Sequence, residues 1–239
     1  MKVYASTDVG KVREINQDYV FSSLERIGYL PNLFIVADGM GGHKAGDLAS
    51  RYTVESLVEL IKNAPEDNPI SIISTAITRA NEMLLQKATE SESFAGMGTT
   101  LVVCTIIDNS LYVANVGDSR LYIYNGKISQ ITRDHSLVEE MITLGKLERS
   151  EARTHEKKNI ITRAIGGAKD VMADFFEAEL DTGNQILLCS DGLSNMIDDC
   201  AIEQILASHD SVENKVNALI DCANENGGKD NIAVIIIEL

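Results

Sequence analysis

Apolar residues fall along this chain in two rhythms. Short, nearly unbroken runs at 33–37, 99–107, 110–116, 120–124, 185–189 and 232–238 are rich in Val, Ile, Leu and Phe and bounded by Asn, Asp and Gly, which predicts buried strands. Weaker runs at 3–7, 127–131 and 173–179 predict further strands. Between them, Leu48, Val54, Leu57, Val58 and Ile61 recur at helical spacing across 46–63. Pro69 stands in the first turn of a second helical stretch reaching to about residue 87. These two helices predict an antiparallel pair, and 199–207 with 211–224 add two more helices.

Asp108-Asn109 and Asn125-Gly126 are hairpin turns, so the sheet structure is expected to be largely antiparallel. A charged stretch at 136–158, carrying Lys146, Arg149, Arg153, His155, Lys157 and Lys158, reads as a helical surface lobe. No repeat, low-complexity tract or linker divides the chain, so 1–239 is read as one α+β domain with helices covering mainly antiparallel sheet.

Composition narrows the function. With 239 residues, 44% of them hydrophobic, the chain can bury a sizeable core without staples. A net charge of −15 argues against nucleic acid as a partner. Cys104, Cys189, Cys200 and Cys222 lack CxxC spacing and read as reduced core thiols of a cytoplasmic protein. No apolar stretch follows Lys2, and the run 232–237 is short, so neither a signal peptide nor a membrane span is expected.

Four aspartates share an unusual setting. Asp38, Asp118 and Asp191 each follow an apolar run and Asp230 precedes one, and each has glycine within two residues. A single Asp-Gly is ordinarily a turn. Four carboxylates gathered at strand ends would repel one another unless cations held them, and hard oxygen ligands suit Mg²⁺ or Mn²⁺ rather than Zn²⁺.

The stretch Phe34-Ile-Val-Ala-Asp-Gly-Met-Gly-Gly-His43 resembles the central motif of bacterial metal-dependent protein phosphatases of the PP2C type. So do Arg13 with Asn16-Gln17-Asp18, Gly98-Thr99-Thr100, Asn115-Val-Gly-Asp-Ser-Arg120, Thr132-Arg-Asp-His-Ser136, Thr162-Arg-Ala-Ile-Gly166, Leu188-Cys-Ser-Asp-Gly-Leu193 and Gly228-Lys-Asp-Asn231, which together span nearly the whole chain. The resemblance implies a four-layer αββα sandwich, with antiparallel helix pairs outside and a small flap at about 136–165. It also implies a pair of Mn²⁺ or Mg²⁺ ions, with Asp38 bridging, Gly39 giving its carbonyl to one ion, and Asp191 and Asp230 ligating the other.

Asp118, with Asp191, matches a third metal position. Asp18 and Asn231 would support the ligands from behind, and Arg13 would clamp the substrate phosphate through guanidinium's bidentate geometry. Two neighbouring cations would acidify a water and offset charge on phosphoryl oxygens. The implied activity is hydrolysis of phosphoserine and phosphothreonine in proteins by a cytoplasmic monomer, with Hanks-type kinases and their targets as partners.

Eukaryotic members place a histidine after Asp-Gly as general acid, whereas this chain has Met40; His43 is the nearby alternative. The cations of the flap are expected to grip acidic phosphoproteins. Two rivals stand beside this reading: a metal-dependent nuclease, for which the chain lacks a basic track, and a catalytically inactive or partner-dedicated regulatory module.

Overall fold

Two antiparallel sheets lie face to face, and helices cover the outer face of each. The structure, a computed structural model, describes residues 1–42 and 45–239. The chain begins with β1 (Lys2–Asp8), β2 (Asp18–Ser23) and β3 (Leu33–Met40), and passes through helices α1 (Ala45–Lys62) and α2 (Pro69–Ala88). It returns to strands at β4 (Gly98–Thr99), β5 (Leu101–Ile107), β6 (Ser110–Val116), β7 (Arg120–Tyr124) and β8 (Ile128–Gln130). After α3 (Leu137–Thr143) come β9 (Asp174–Glu179), β10 (Gln185–Cys189), the helices α4 (Asp191–Ser194), α5 (Asp199–Leu206) and α6 (Val212–Glu225), and β11 (Ile232–Glu238).

One sheet runs β1-β11-β10-β7-β8 and the other β2-β3-β5-β6-β9, with β4 beside β3. All these pairings are antiparallel. The two-residue period of a strand sorts its side chains between layers. Phe34 and Val36 of β3 pack between the sheets with Leu188, Ile235 and Ile237. Leu33, Ile35 and Ala37 pack instead with Val54, Leu57, Ile73 and Ile77 of the first helix pair. On the far side, Ile232, Val234 and Ile236 meet Ile202, Val216 and Leu219 of α5 and α6. Strands buried on both faces explain the unbroken apolar runs, and the three apolar layers make the αββα sandwich.

Several boundaries differ from the sequence expectations. β2 was not predicted: its residues are mostly half-buried, so it lacks a clean apolar rhythm. β3 runs on through Asp38 to Met40, because Gly39 and Met40 pair with β4; Asp38 therefore lies within a strand and not at its end. The predicted helix at 136–158 is broken, since α3 stops at Thr143, Gly145 takes a left-handed φ of 65°, and only a 3₁₀ turn, Arg149–Thr154, follows. The lobe's neck is closed by Leu137 N–H to the Ile160 carbonyl and Thr162 N–H to the His135 carbonyl, both 2.8 Å.

Arg149 pairs with Glu139 at 2.9 Å within the lobe, and Arg153 donates to the Ile197 carbonyl at 3.3 Å, tying the lobe to the segment between α4 and α5. Cys104 and Cys189 are buried, but Cys222 is only partly buried and Cys200 is exposed on α5, against the expectation of four core thiols. Among the described residues no helix is long and apolar enough to cross a membrane.

Candidate metal centre

Register and backbone contacts bring the acids together. Asp18 on β2 lies directly opposite Asp38 on β3, and opposed residues on neighbouring strands project to the same face. Asp38 is fixed from the other side by two threonines. Its N–H donates to Thr100 Oγ1 at 2.9 Å, and its carbonyl accepts from Thr100 N–H at 2.8 Å and from Thr99 Oγ1 at 2.9 Å. Asp118 sits in the β6–β7 connection, Asp191 at the step from β10 into α4, and Asp230 just ahead of β11.

Arg13, Asp38, Gly39, Asp118, Asp191 and Asp230 line one cleft of about 280 Å³, to which Met40, Asn159 and Ile161 also contribute. Asn231 ties this cleft to the N-terminal loop: its Oδ1 accepts from Gln17 N–H at 2.9 Å, and its Nδ2 donates to the Val9 and Ile15 carbonyls at 2.9 and 3.0 Å. Arg13 donates to Asp230 Oδ2 at 2.8 Å, and both side chains stay partly exposed at the cleft mouth. The sequence-predicted ligands and supporting residues therefore converge. His43 lies outside the described residues.

Two supporting residues were not singled out by the sequence. Ser190 Oγ donates to Asp18 Oδ2 at 2.6 Å while accepting from Ala233 N–H at 2.9 Å. Asn195 donates to Asp191 Oδ2 at 2.9 Å and accepts from Lys158 Nζ at 3.3 Å. Of these, only Ser190 left a trace, as the residue between a buried strand and a candidate ligand.

The carboxylates suit a hard dication. Burial, followed by the charges of Asp18, Asp191, Asp118 and Asp230, holds Asp38 well above the usual carboxylate range. Burial and then Asp191 raise Asp118 likewise, and burial and then Asp230 raise Asp191. Burial pushes Asp18 up to about 8, against the pull of the Ser190 hydrogen bond. Among the described residues, the buried oxygens Asp18 Oδ1 and Asp191 Oδ1 have no hydrogen-bond partner, an arrangement that is costly unless something else satisfies them.

Among the described residues, no three His, Cys, Asp or Glu side chains are grouped closely enough to hold a metal ion as they stand. An all-oxygen, open-sided donor set with room for water fits Mg²⁺ or Mn²⁺.

The raised carboxyls set a pH dependence for the chelated protein. Asp18 titrates near 8 when folded against an ordinary value of 3.8, so the folded state binds more protons between those values and stability must fall as pH rises through them. The melting temperature in chelator should decline from pH 4 to pH 8, and Mn²⁺ should offset the decline. A melting temperature that climbed across that window in chelator would contradict the assignment.

The paired antiparallel sheets and the acidic cleft together are those of a known phosphatase family. A model of the family "Protein phosphatase 2C" matches residues 11–235. Protein phosphatase PhpP of Streptococcus pneumoniae is 38% identical over 253 residues, covering 100% of this chain and 98% of its own length. The crystal structure of serine/threonine phosphatase Stp1 from Staphylococcus aureus superposes with a TM-score of 0.92 at 33% identity, covering 100% of this chain and 94% of that one. The catalytic domain of serine threonine protein phosphatase PstP, in complex with two manganese ions, gives 0.86 at 31% identity, covering 98% and 96%. The chain belongs to the protein phosphatase 2C family and is a metal-dependent protein serine/threonine phosphatase.

Proposed function

We propose that Asp38, Gly39 through its carbonyl, Asp191 and Asp230 would hold a pair of Mn²⁺ or Mg²⁺ ions, and that Asp118 with Asp191 would take a third. The observation that carries this reading is the pair of buried, partnerless oxygens on Asp18 and Asp191, set among like charges. Once bound, the cations would acidify an attacking water and offset charge on the phosphoryl oxygens of a phosphoserine or phosphothreonine monoester.

The chain's own groups do the remaining work. Arg13, at the cleft mouth, turns its guanidinium from Asp230 to the phosphoryl oxygens and fixes the ester for attack. Asp18, held by Ser190, and Asn231, clamped to residues 9, 15 and 17, keep the ligand carboxylates and their waters in place. Met40, beside the cleft, has no proton to give to the leaving serine or threonine oxygen. We read the whole of 1–239 as one cytoplasmic, monomeric domain with a flap at 136–165, acting on phosphoproteins of Hanks-type kinases. The family match and the pairing of β1 with β11 support the single-domain reading.

The test is hydrolysis of p-nitrophenyl phosphate and a phosphothreonine peptide with Mn²⁺, with and without chelator, for wild type and Arg13→Ala. Wild type should be active only without chelator. Arg13→Ala should lose roughly ten- to a hundredfold in kcat/KM, or about 1.4–2.7 kcal/mol, with little change in melting temperature because its ion pair is exposed. Chelator-resistant turnover would refute the metal mechanism.

A further inference from the structure

A second groove opens beside the metal cleft. It measures about 470 Å³, is walled mainly by Ala164, Ala168, Val171 and Met172 with Thr162, Arg163 and Asp170 at its polar side, and shares Met40 and Ile161 with the cleft itself. Met172 is 73% exposed there. Met40 and Ile161 thus stand between the two hollows as an apolar sill.

The groove is also preformed. Asn81 of α2, 1% exposed, donates to the Ala168 and Lys169 carbonyls at 3.0 Å each and accepts from Gly166 N–H at 2.7 Å. Ile165 exchanges backbone hydrogen bonds with Thr99 at 2.9 and 3.0 Å, and Thr99 pairs with Gly39. One buried side chain and one backbone ladder therefore hold the groove floor in fixed register with the metal centre. A ready-made apolar recess lowers the ordering cost of binding.

Resting on the phosphatase reading above, we infer that this groove is a specificity subsite that takes an apolar side chain of the phosphoprotein substrate, one to three residues from the phosphorylated one. A chain whose phosphate enters the cleft must leave it across an edge, and the Met40–Ile161 sill leads into this recess. Successive residues of an extended peptide advance by about 3.3–3.6 Å, so a residue near the phosphate comes over the sill while the phosphoryl group stays in place. The occupant is a side chain such as Leu or Ile. Bulk solvent is the competing environment, so the preference is modest, on the order of tenfold.

The experiment compares phosphothreonine peptides carrying Leu or Ser at each of the three positions on either side, for wild type, Met172→Lys and Val171→Lys, with p-nitrophenyl phosphate as a substrate too small to reach the groove. In wild type, Leu at one or more positions should raise kcat/KM about tenfold over Ser, mainly through KM. Both variants should lose that ratio while hydrolysing p-nitrophenyl phosphate at the wild-type rate. Met172 is exposed enough that its variant will fold even if Val171→Lys does not.

The same peptides, fluorescein-labelled, should show the Leu preference by anisotropy on a turnover-deficient Asp191→Asn protein. Equal wild-type rates for Leu and Ser peptides, or a preference undiminished in Met172→Lys, would overturn the subsite. If wild type hydrolysed neither p-nitrophenyl phosphate nor any peptide, the phosphatase reading would fail, and the anisotropy ratio on wild type would still decide whether the groove binds apolar side chains.

Discussion

Asp191→Ala should lose at least about a thousandfold in turnover, and its chelated form should be no less stable than wild type. A thousandfold corresponds to about 4 kcal/mol of transition-state stabilisation, the range expected when a catalytic cation is misplaced. The stability half follows from the surroundings. Asp191 is half-buried, its buried Oδ1 lacks a partner, and Asp230 adds like charge, so alanine removes a repulsive group and sacrifices one hydrogen bond from Asn195. Saturating Mn²⁺ should stabilise wild type by about 2.7 kcal/mol at a hundredfold excess over Kd, and the variant far less. Thermal melts with Mn²⁺ and with chelator, alongside p-nitrophenyl phosphate rates, check both halves; an undiminished Mn²⁺ shift would exclude Asp191 as a ligand.

The second large effect is steric. A Cβ on Gly192 would stand 1.8 Å from the Asn231 carbonyl oxygen and 2.8 Å from its carbon, backbone atoms that no rotamer change can move. The first turn of α4 would have to retreat from residues 230 and 231. That would displace Asp230 together with the Asn231 bonds to the loop at residues 9–17. Gly192→Ala should therefore cost about 3 kcal/mol, at the upper end for overpacking, and at least a hundredfold in activity. Urea denaturation midpoints and Mn²⁺-supported rates measure the two; a loss below about 0.5 kcal/mol would show that the turn accommodates the methyl group.

Much of this architecture could be read from the residues alone, for physical reasons. β5, β10 and β11 are covered on both faces, so each appears as an unbroken aliphatic run. β2 borders one sheet and is mostly half-buried, so its Tyr19, Val20 and Phe21 gave no such run. The flap looked helical because Lys, Arg and Glu favour helices, yet Gly145 and the lack of an apolar face stop α3 after Thr143.

The same contrast holds at the site. Aspartates flanked by glycine flagged the proposed ligands, but Gly39 does not end β3; a Cβ there would stand 2.0 Å from the Gly46 carbonyl. The partners of the ligands depend on tertiary approach and left almost no local trace: Arg13 reaches Asp230 across 217 positions, and Ser190 reaches Asp18 across 172.

The order of strands in one sheet has a consequence for biosynthesis. β11, the last strand along the sequence, is not at an edge but sits between β1 and β10, with Asp230 just before it. While the ribosome is still translating that segment, β1 and β10 lack their common neighbour and the cleft lacks one wall. Pairings of such long sequence separation form slowly, so on the proposed role of Asp230 the nascent chain would gain activity only once β11 has emerged and inserted at the middle of the sheet.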